Sequence, residues 1–330
     1  MPNIAIVGAT GAVGQEFLKI LAERQFPVEE LRLLATKRSS GSLINWQGRE
    51  YEVQETTYDS FKGIDIALFA GGSASTEYAP AAVQSGAVVI DNSSAYRLDS
   101  KVPLVVPEVN PEDVTWHQGI IANPNCSTII MAVALKPLED LSRIKRIVVS
   151  TYQAVSGAGK EGIAELEDQV RTWCQGETIT QYNTFPYQIA FNLIPRIDVF
   201  QDGDYTKEEW KMVKETQKIF HRDDLRVTAT CVRVPVFRSH CESINIETEN
   251  KLTLEQVKTA LAKATGVILK DDPSQDIYPM PKDSSDRDEV IVGRIREDFT
   301  IENGLNLWIA GDQIRKGAAT NAIQIAELLL

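Results

Sequence analysis

Two short stretches of this 330-residue chain hold residues whose types and spacing could do chemistry. The first is N-P-N-C-S-T, residues 123–128. A cysteine kept for packing sits among apolar neighbours, and Cys126 does not. The run that follows, S-T-I-I-M-A-V-A-L-K-P-L, reads as the opening of a helix, and a helix N-terminus lowers a thiol pKa and so favours the nucleophilic thiolate. The second stretch is G-A-T-G-A-V-G, residues 8–14, placed after the apolar run N-I-A-I-V and before a helical pattern carrying Phe17, Ile20 and Leu21. Gly8, Gly11 and Gly14 form a variant of the dinucleotide fingerprint, in which glycines let the backbone approach a pyrophosphate at a helix N-terminus. A plain tight turn is the alternative. A cysteine facing a nicotinamide suggests thiolate attack on a carbonyl, hydride exchange and a thioester intermediate. That chemistry needs an acid or base, and the chain has three histidines. His117 (T-W-H-Q-G) and His221 (F-H-R-D-D) read as surface residues. His240, after a strand pattern of small and apolar residues, is the candidate, with a structural histidine as the alternative.

The elements that must position these residues follow from periodicity. Strand patterns at 65–72, 87–94 and 119–125, with a helical stretch between the first two, give a β-α-β alternation typical of a doubly wound parallel sheet. Loops at those strand ends line the ligand crevice of such a sheet, which places Cys126 at its mouth. The second strand ends L-R-L-L-A-T-K-R-S-S-G (31–41) without the Asp or Glu that would hold a ribose 2′-hydroxyl. Thr36, Lys37, Arg38, Ser39 and Ser40 suit a 2′-phosphate instead, which points to NADP. The later half mixes strands and helices without strict alternation, as in an α+β domain on a mixed sheet. Its helices include one with Ile163, Leu166, Val170 and Trp173 on one face, one capped by Thr206 and Glu209, and one capped by Thr253 and Gln256. Residues 271–288 read as an irregular loop. The expected division is a cofactor domain over 1–126, completed by a C-terminal helix at 315–330, and a catalytic and dimerisation domain over 127–314.

A net charge of −12 argues against nucleic acid or an anionic membrane as partner. Four cysteines without a C-x-x-C pair are too few for a disulfide framework and give no zinc signature, so no metal is expected. No segment reaches the ~20 apolar residues of a spanning helix. A cytoplasmic, soluble protein is the expectation. Cys174, Cys231 and Cys241 read as structural.

Six segments in order, G-A-T-G-A-V-G, R-S-S-G, N-P-N-C-S-T, T-Y-Q-A-V-S-G-A-G, R-V-P-V-F-R-S-H and R-K-G-A-A-T-N-A-I-Q-I-A-E, resemble the aspartate-β-semialdehyde dehydrogenase family over nearly the whole chain. The resemblance implies a glyceraldehyde-3-phosphate-dehydrogenase-like architecture and NADPH-dependent reduction of aspartyl phosphate to aspartate semialdehyde, with phosphate released, on the way to lysine, methionine and threonine. By the same resemblance Cys126 is the nucleophile, His240 the acid/base, and Gln153 the residue that orients the thiohemiacetal. Arg233 clamps the substrate carboxylate, Glu208 meets the substrate amino group, and Lys211 and Arg97 meet phosphate. Asn125 completes the substrate set. Gly8, Thr10, Gly11, Ala12, Val13, Arg38, Ser39, Ser156, Gly157 and Gln313 contact the cofactor, and the protein pairs as a homodimer. Read alone, Arg233, Arg97 and the Glu208–Lys211 pair are ordinary surface charges. The chain departs from the family's habit at Ser239, where Gly is frequent, at Thr36-Lys37-Arg38, where Ser-x-Arg is frequent, and at Gln313, where Asn is common. The competing readings are an N-acetyl-γ-glutamyl-phosphate reductase, which has no need of Glu208, an inactive NADP-binding homologue, and a cysteine hydrolase that binds no dinucleotide.

Overall fold

A computed structural model describes residues 1–330 and divides the chain into two compact units, Met1–Asn125 with Gly317–Leu330, and Cys126–Lys316. No helix is long and apolar enough to cross a membrane.

In the first unit the elements run β1 (Ile4–Val7), α1 (Ala12–Glu23), β2 (Leu31–Ala35), β3 (Leu43–Trp46), β4 (Arg49–Glu52), β5 (Gln54–Glu55), β6 (Ile66–Phe69), α2 (Ser73–Gln84), β7 (Val88–Asp91) and β8 (Ile120–Ala122). Six strands form a sheet in the order β5-β2-β1-β6-β7-β8, every pair parallel. All four residues of β1 are buried. Ile4 and Ile6 join a core with Phe17, Leu21, Ile323 and Ile325, while Ala5 and Val7 join one with Phe61, Phe69, Ala79 and Ala82. Both faces of the strand are therefore covered, and its sequence reads as a continuous apolar run rather than an alternation. A helix at Thr320–Glu327 closes this unit, with α1 beside it. Asn321 ties it to the sheet, donating from Nδ2 to the carbonyl of Val105 at 2.9 Å and to Asn123 Oδ1 at 2.7 Å. Asn123 in turn donates to the carbonyl of Ala318 at 3.1 Å. The first asparagine of N-P-N-C-S-T is thus a fully buried structural bolt. The antiparallel hairpin of β3 and β4 was not evident in the sequence.

The second unit runs α3 (Cys126–Leu141), β9 (Ile144–Gln153), α4 (Gly159–Cys174), α5 (Lys207–Ile219), β10 (Arg226–Arg233), β11 (His240–Thr248), α6 (Leu254–Lys263), β12 (Val267–Leu269), α7 (Pro281–Ser284), β13 (Val290–Asp298) and β14 (Gly304–Gly311). Its sheet has the order β10-β9-β11-β14-β13-β12, with β10–β9 and β13–β12 parallel and the rest antiparallel. This is the mixed sheet expected. Period-two alternation buries Ile147, Val149, Thr151 and Gln153 of β9, and His240, Glu242, Ile244 and Ile246 of β11. The face packs on α3: a Cβ built on Gly311 would lie 2.9 Å from Ile130. Both capping boxes form as the sequence implies, Thr206 with Glu209 and Thr253 with Gln256. Trp173 lies on the face expected, but at its end. It is 58% exposed at the end of α4 and packs on the ring of Phe191. Cys174 is also exposed and so has no packing role, whereas Cys231 and Cys241 are buried.

Candidate active site

Register explains how distant residues meet. Gln153 ends β9 and Arg233 ends its parallel neighbour β10, and the two are paired residues. Antiparallel β11 begins at His240, opposite Gly311 of β14, so its first residue falls at that same end of the sheet. All three side chains point to the buried face. Cys126 is the first residue of α3 and is half-buried. Its helix reaches β14 through Ile130, one turn on, against the glycine that pairs with His240.

Around these strand ends lies a string of polar contacts, buried at Thr151, Gln153 and Glu208 and opening to solvent at Lys211 and Asp198. Thr151 Oγ1 donates to Gln153 Oε1 at 2.9 Å, and Gln153 Nε2 donates to Glu208 Oε1 at 3.3 Å. Lys211 Nζ reaches Glu208 Oε2 at 2.9 Å and Asp198 Oδ2 at 3.2 Å. The spacing of three along α5 places Glu208 and Lys211 side by side. The capping box fixes the helix that carries them, and Glu209 Oε1 also accepts from the Cys231 amide at 3.0 Å, tying α5 to β10.

Ala154, just past β9, uses its backbone twice. Its N–H donates to Nδ1 of His240 at 3.1 Å, and its carbonyl accepts from Arg233 Nη1 at 2.6 Å. Burial lowers the Arg233 pKa, while Glu208, Cys126 and Cys231 nearby favour its charge. The guanidinium also lies 5.8 Å from the Phe185 ring centroid. Complete burial, then the charge of Arg233, hold the His240 imidazole well below its usual range, with the Ser239 backbone opposing. The ring is therefore neutral at neutral pH. Two residues along, Glu242 is fully buried with neither carboxyl oxygen hydrogen-bonded, and burial pushes its pKa well up.

Beside the histidine, Ser239 adopts φ 74°, a backbone region that favours glycine and accounts for that residue's place in the family pattern. A local network holds this conformation. Gln313 Oε1 accepts from the Ser239 amide at 2.8 Å, Ser239 Oγ lies 3.0 Å from Ser285 Oγ, and Gln313 Nε2 donates to Ser156 Oγ. Ser156 and Gln313 are thus brought together beside the start of β11. Gly157 is needed for space: a Cβ there would lie 2.7 Å from Arg233 Nη1 and 3.3 Å from both Cε1 and Nε2 of His240.

In the first unit, Gly8 has φ 85° and Gly11 precedes α1. A Cβ on Gly14 would lie 2.2 Å from the Gly8 carbonyl oxygen, so only glycine lets α1 start this close to β1. Thr10, Ala12 and Val13 line the turn, each half-buried. Thr10 Oγ1 meets Ser39 Oγ at 3.5 Å, and Lys37 and Arg38 stand exposed on the same short helical turn as Ser39. This cradle of backbone amides beside hydroxyls and cations fits a dinucleotide, and it could hold one by the glycine turn with Arg38 and Ser39 near its ribose. Arg97 is buried, donating from Nε to the Asn123 carbonyl at 2.9 Å and from Nη2 to the Asn92 carbonyl at 3.0 Å. Asn125 is also buried at the end of this unit.

Sequence reasoning missed Ala154, Thr151, Asp198 and Asp91. Asp91 accepts from Ser75 Oγ and Ser93 Oγ, both at 2.6 Å, and so shapes the loop leading to Arg97. Asp91 had a weak signal in D-N-S-S, whereas Ala154 had none.

A dinucleotide turn on a parallel sheet, with a separate unit that gathers Cys, His, Gln and Arg at one sheet end, defines an oxidoreductase with a nicotinamide cofactor. Family models agree: residues 3–117 match the semialdehyde dehydrogenase NAD binding domain, and residues 135–316 match the semialdehyde dehydrogenase dimerisation domain. The aspartate-semialdehyde dehydrogenase of Aquifex aeolicus (strain VF5) is 58% identical over 99% of this chain and 98% of its own. A crystal structure of aspartate semialdehyde dehydrogenase II from Vibrio cholerae, complexed with ASA, superposes with TM-score 0.97 at 50% identity, covering 100% of this chain and 98% of that one. The aspartate semialdehyde dehydrogenase with NADP from Candida albicans superposes with TM-score 0.77 at 26% identity, covering 100% and 98%. The chain belongs to the aspartate-semialdehyde dehydrogenase family.

Proposed function

We propose that the protein makes L-aspartate 4-semialdehyde from L-aspartyl 4-phosphate through a thioester on Cys126, with NADPH as the reductant. The observation that carries this reading is the string Lys211–Glu208–Gln153, buried at Glu208 and Gln153 and partly open to solvent at Lys211, beside Arg233 and His240. It offers separate partners for each charge of the substrate. Arg233 presents a planar fork to the α-carboxylate, a task lysine does poorly. Glu208 takes the ammonium group, which an N-acylated substrate lacks, and this favours aspartyl phosphate over acetylglutamyl phosphate. Lys211 and Arg97 take the phosphoryl group. Asn125 supports the substrate beside Cys126. Cys126, at a helix N-terminus with Arg233 nearby, is favoured as thiolate. It attacks the acyl carbon and phosphate leaves. Gln153 orients the acyl group, and His240 faces its oxygen. The bound cofactor supplies hydride.

The preference for NADP rests on Thr36, Lys37, Arg38 and Ser39 after a strand end without an acid. Gly8, Thr10, Gly11, Ala12 and Val13 cradle the pyrophosphate. Ser156, Gly157 and Gln313 serve the nicotinamide end. Pairing into a homodimer is supported by the dimerisation-domain match and by the half-exposed outer face of the second sheet, where Ser243, Asn245 and Trp308 lie. A thiolate nucleophile suits the reducing cytoplasm. Lysine, methionine and threonine synthesis is the pathway this activity would serve.

The test is phosphate-dependent reduction of NADP by aspartate semialdehyde. The wild type should show it, and Cys126→Ala should lose at least ~10⁴-fold, the scale for removing a covalent nucleophile. Turnover without phosphate dependence, or an active Cys126→Ala, would overturn the reading.

A further inference from the structure

We propose that Asp198 sets the preference for substrates with a free amino group: it holds Lys211 by a second ion pair, so that Glu208 has charge to spare for the substrate ammonium.

Three observations carry this, and the inference rests on the function proposed above. First, Lys211 is shared. Its Nζ lies 2.9 Å from Glu208 Oε2 and 3.2 Å from Asp198 Oδ2. Second, Asp198 is built into place. Its backbone is left-handed at φ 69°, and its Oδ1 accepts from the Val199 amide at 2.9 Å. The Val199 carbonyl accepts from the Lys207 amide at 2.8 Å, and Phe200 forms an antiparallel bridge with Thr206. The segment is thus fastened to the first turn of α5, the helix that carries Glu208 and Lys211. Third, Asp198 and Arg233 line one cavity of about 440 Å³, with Phe185 and Arg196. The guanidinium assigned to the substrate carboxylate therefore opens on the same space as the Asp198 carboxylate.

Charge counting gives the consequence. Glu208 and Lys211 alone form a neutral pair. An ammonium arriving at Glu208 would then compete with Lys211 for one carboxylate, and the two cations would repel. With Asp198 present, the three groups carry one net negative charge. Substrate binding completes an alternating row of ammonium, Glu208, Lys211 and Asp198, in which each cation has an anion beside it. Gln153 leaves room for this, because it donates a single hydrogen bond to Glu208 Oε1 and a carboxylate offers about four acceptor sites. The side chains grade outward from 7% exposed at Glu208 through 19% at Lys211 to 31% at Asp198. The recognising end is therefore the buried one, where a charge acts strongly, and the supporting end is the open one, where water screens it. Asp198 also offsets part of the Lys211 charge and so loosens its hold on phosphate. A substrate whose amino group is acylated gains nothing from the arrangement. Asp198 is thus a positioning residue that acts on the substrate through Lys211.

The test is Asp198→Asn. Asparagine tolerates left-handed backbone as aspartate does and keeps an acceptor for the Val199 amide, so the segment stays in place. Variant and wild type are compared on aspartate semialdehyde and on succinic semialdehyde, the same aldehyde acid without the amino group. The preference for the amino substrate, as a ratio of kcat/KM values, should fall about 5-fold, the scale of one partly exposed ion pair. KM for phosphate should fall as Lys211 is released, while KM for aspartate semialdehyde rises. A residue that merely supported the fold would move both constants the same way. In a Lys211→Gln background, Asp198→Asn should change the preference less than ~2-fold, since the route through Lys211 is gone. An unchanged preference, or an equal loss in both backgrounds, would overturn the inference. If the wild type does not oxidise aspartate semialdehyde, the proposed function falls. Calorimetric titration of inorganic phosphate into the free protein then still decides the role of Asp198. Tighter binding in Asp198→Asn supports its hold on Lys211, and unchanged binding overturns it.

Discussion

The two units solve their tasks with different materials. The first works through backbone: a turn at Gly8, a helix start exposed by Gly11, and a close approach at Gly14, with its candidate cations Lys37 and Arg38 left in solvent. The second works through buried side chains: His240, Gln153, Glu208 and Arg233 are each at most 6% exposed and are joined by hydrogen bonds to one another or to Ala154. A dinucleotide is long and can be held by many weak amide contacts. A small substrate bearing several charges needs fewer groups, each preorganised in a low-dielectric site where it acts strongly.

Paired glycine substitutions would sharpen this contrast. Gly157→Ala drives a methyl group to 2.7 Å from Arg233 and against the His240 ring edge. It should lower kcat by ~100-fold through misplacement, with little loss of stability. Gly14→Ala forces α1 off β1, since its overlap is with backbone at 2.2 Å. It should cost ~1–3 kcal/mol of stability and weaken dinucleotide binding while leaving aldehyde capture by Cys126 intact. Steady-state kinetics, dinucleotide titration and chemical denaturation of both variants decide the matter. A Gly157→Ala that mainly unfolds the protein, or a Gly14→Ala that mainly lowers kcat, would erase the distinction.

A pH-dependent effect tests the burial of the second unit. Folding raises the Glu242 pKa well above its ordinary 4.5, so the native state keeps a proton that the unfolded chain releases. Stability must then fall as pH rises above the unfolded value, by about 1.4 kcal/mol per pH unit until the buried group ionises. Glu242→Gln removes that slope. Relative to wild type, the variant should therefore gain stability between pH 5 and pH 8 in denaturant titrations. An unchanged difference between the two proteins at both pH values would show that Glu242 is ionised in the fold.

The same contrast governs what the sequence reveals. Backbone devices leave glycines at fixed spacing, so the nucleotide turn was legible, as were both helix caps, which depend on residues three apart. The helix that opens at Cys126 was legible from the run after it. Gln153, Glu208, Lys211 and Arg233 were visible only through family resemblance. Strand register pairs Gln153 with Arg233 at the end of a sheet, tertiary packing brings Glu208 and Lys211 of α5 to Gln153, and no local window of sequence encodes either. Ala154 was invisible, because its contribution is an amide and a carbonyl that every residue but proline possesses. The exposure of Trp173 was not legible, because helical periodicity says which residues share a face, but not how far along the helix that face stays covered.

Covalent acylation of Cys126 is the step on which the proposed reaction depends most. Wild-type protein would be mixed with aspartate semialdehyde and NADP without phosphate, quenched in acid, digested and analysed by mass spectrometry. An acyl mass on the peptide containing Cys126, discharged by adding phosphate before the quench, is the predicted result. An unmodified Cys126, or acylation of exposed Cys174 instead, would contradict it.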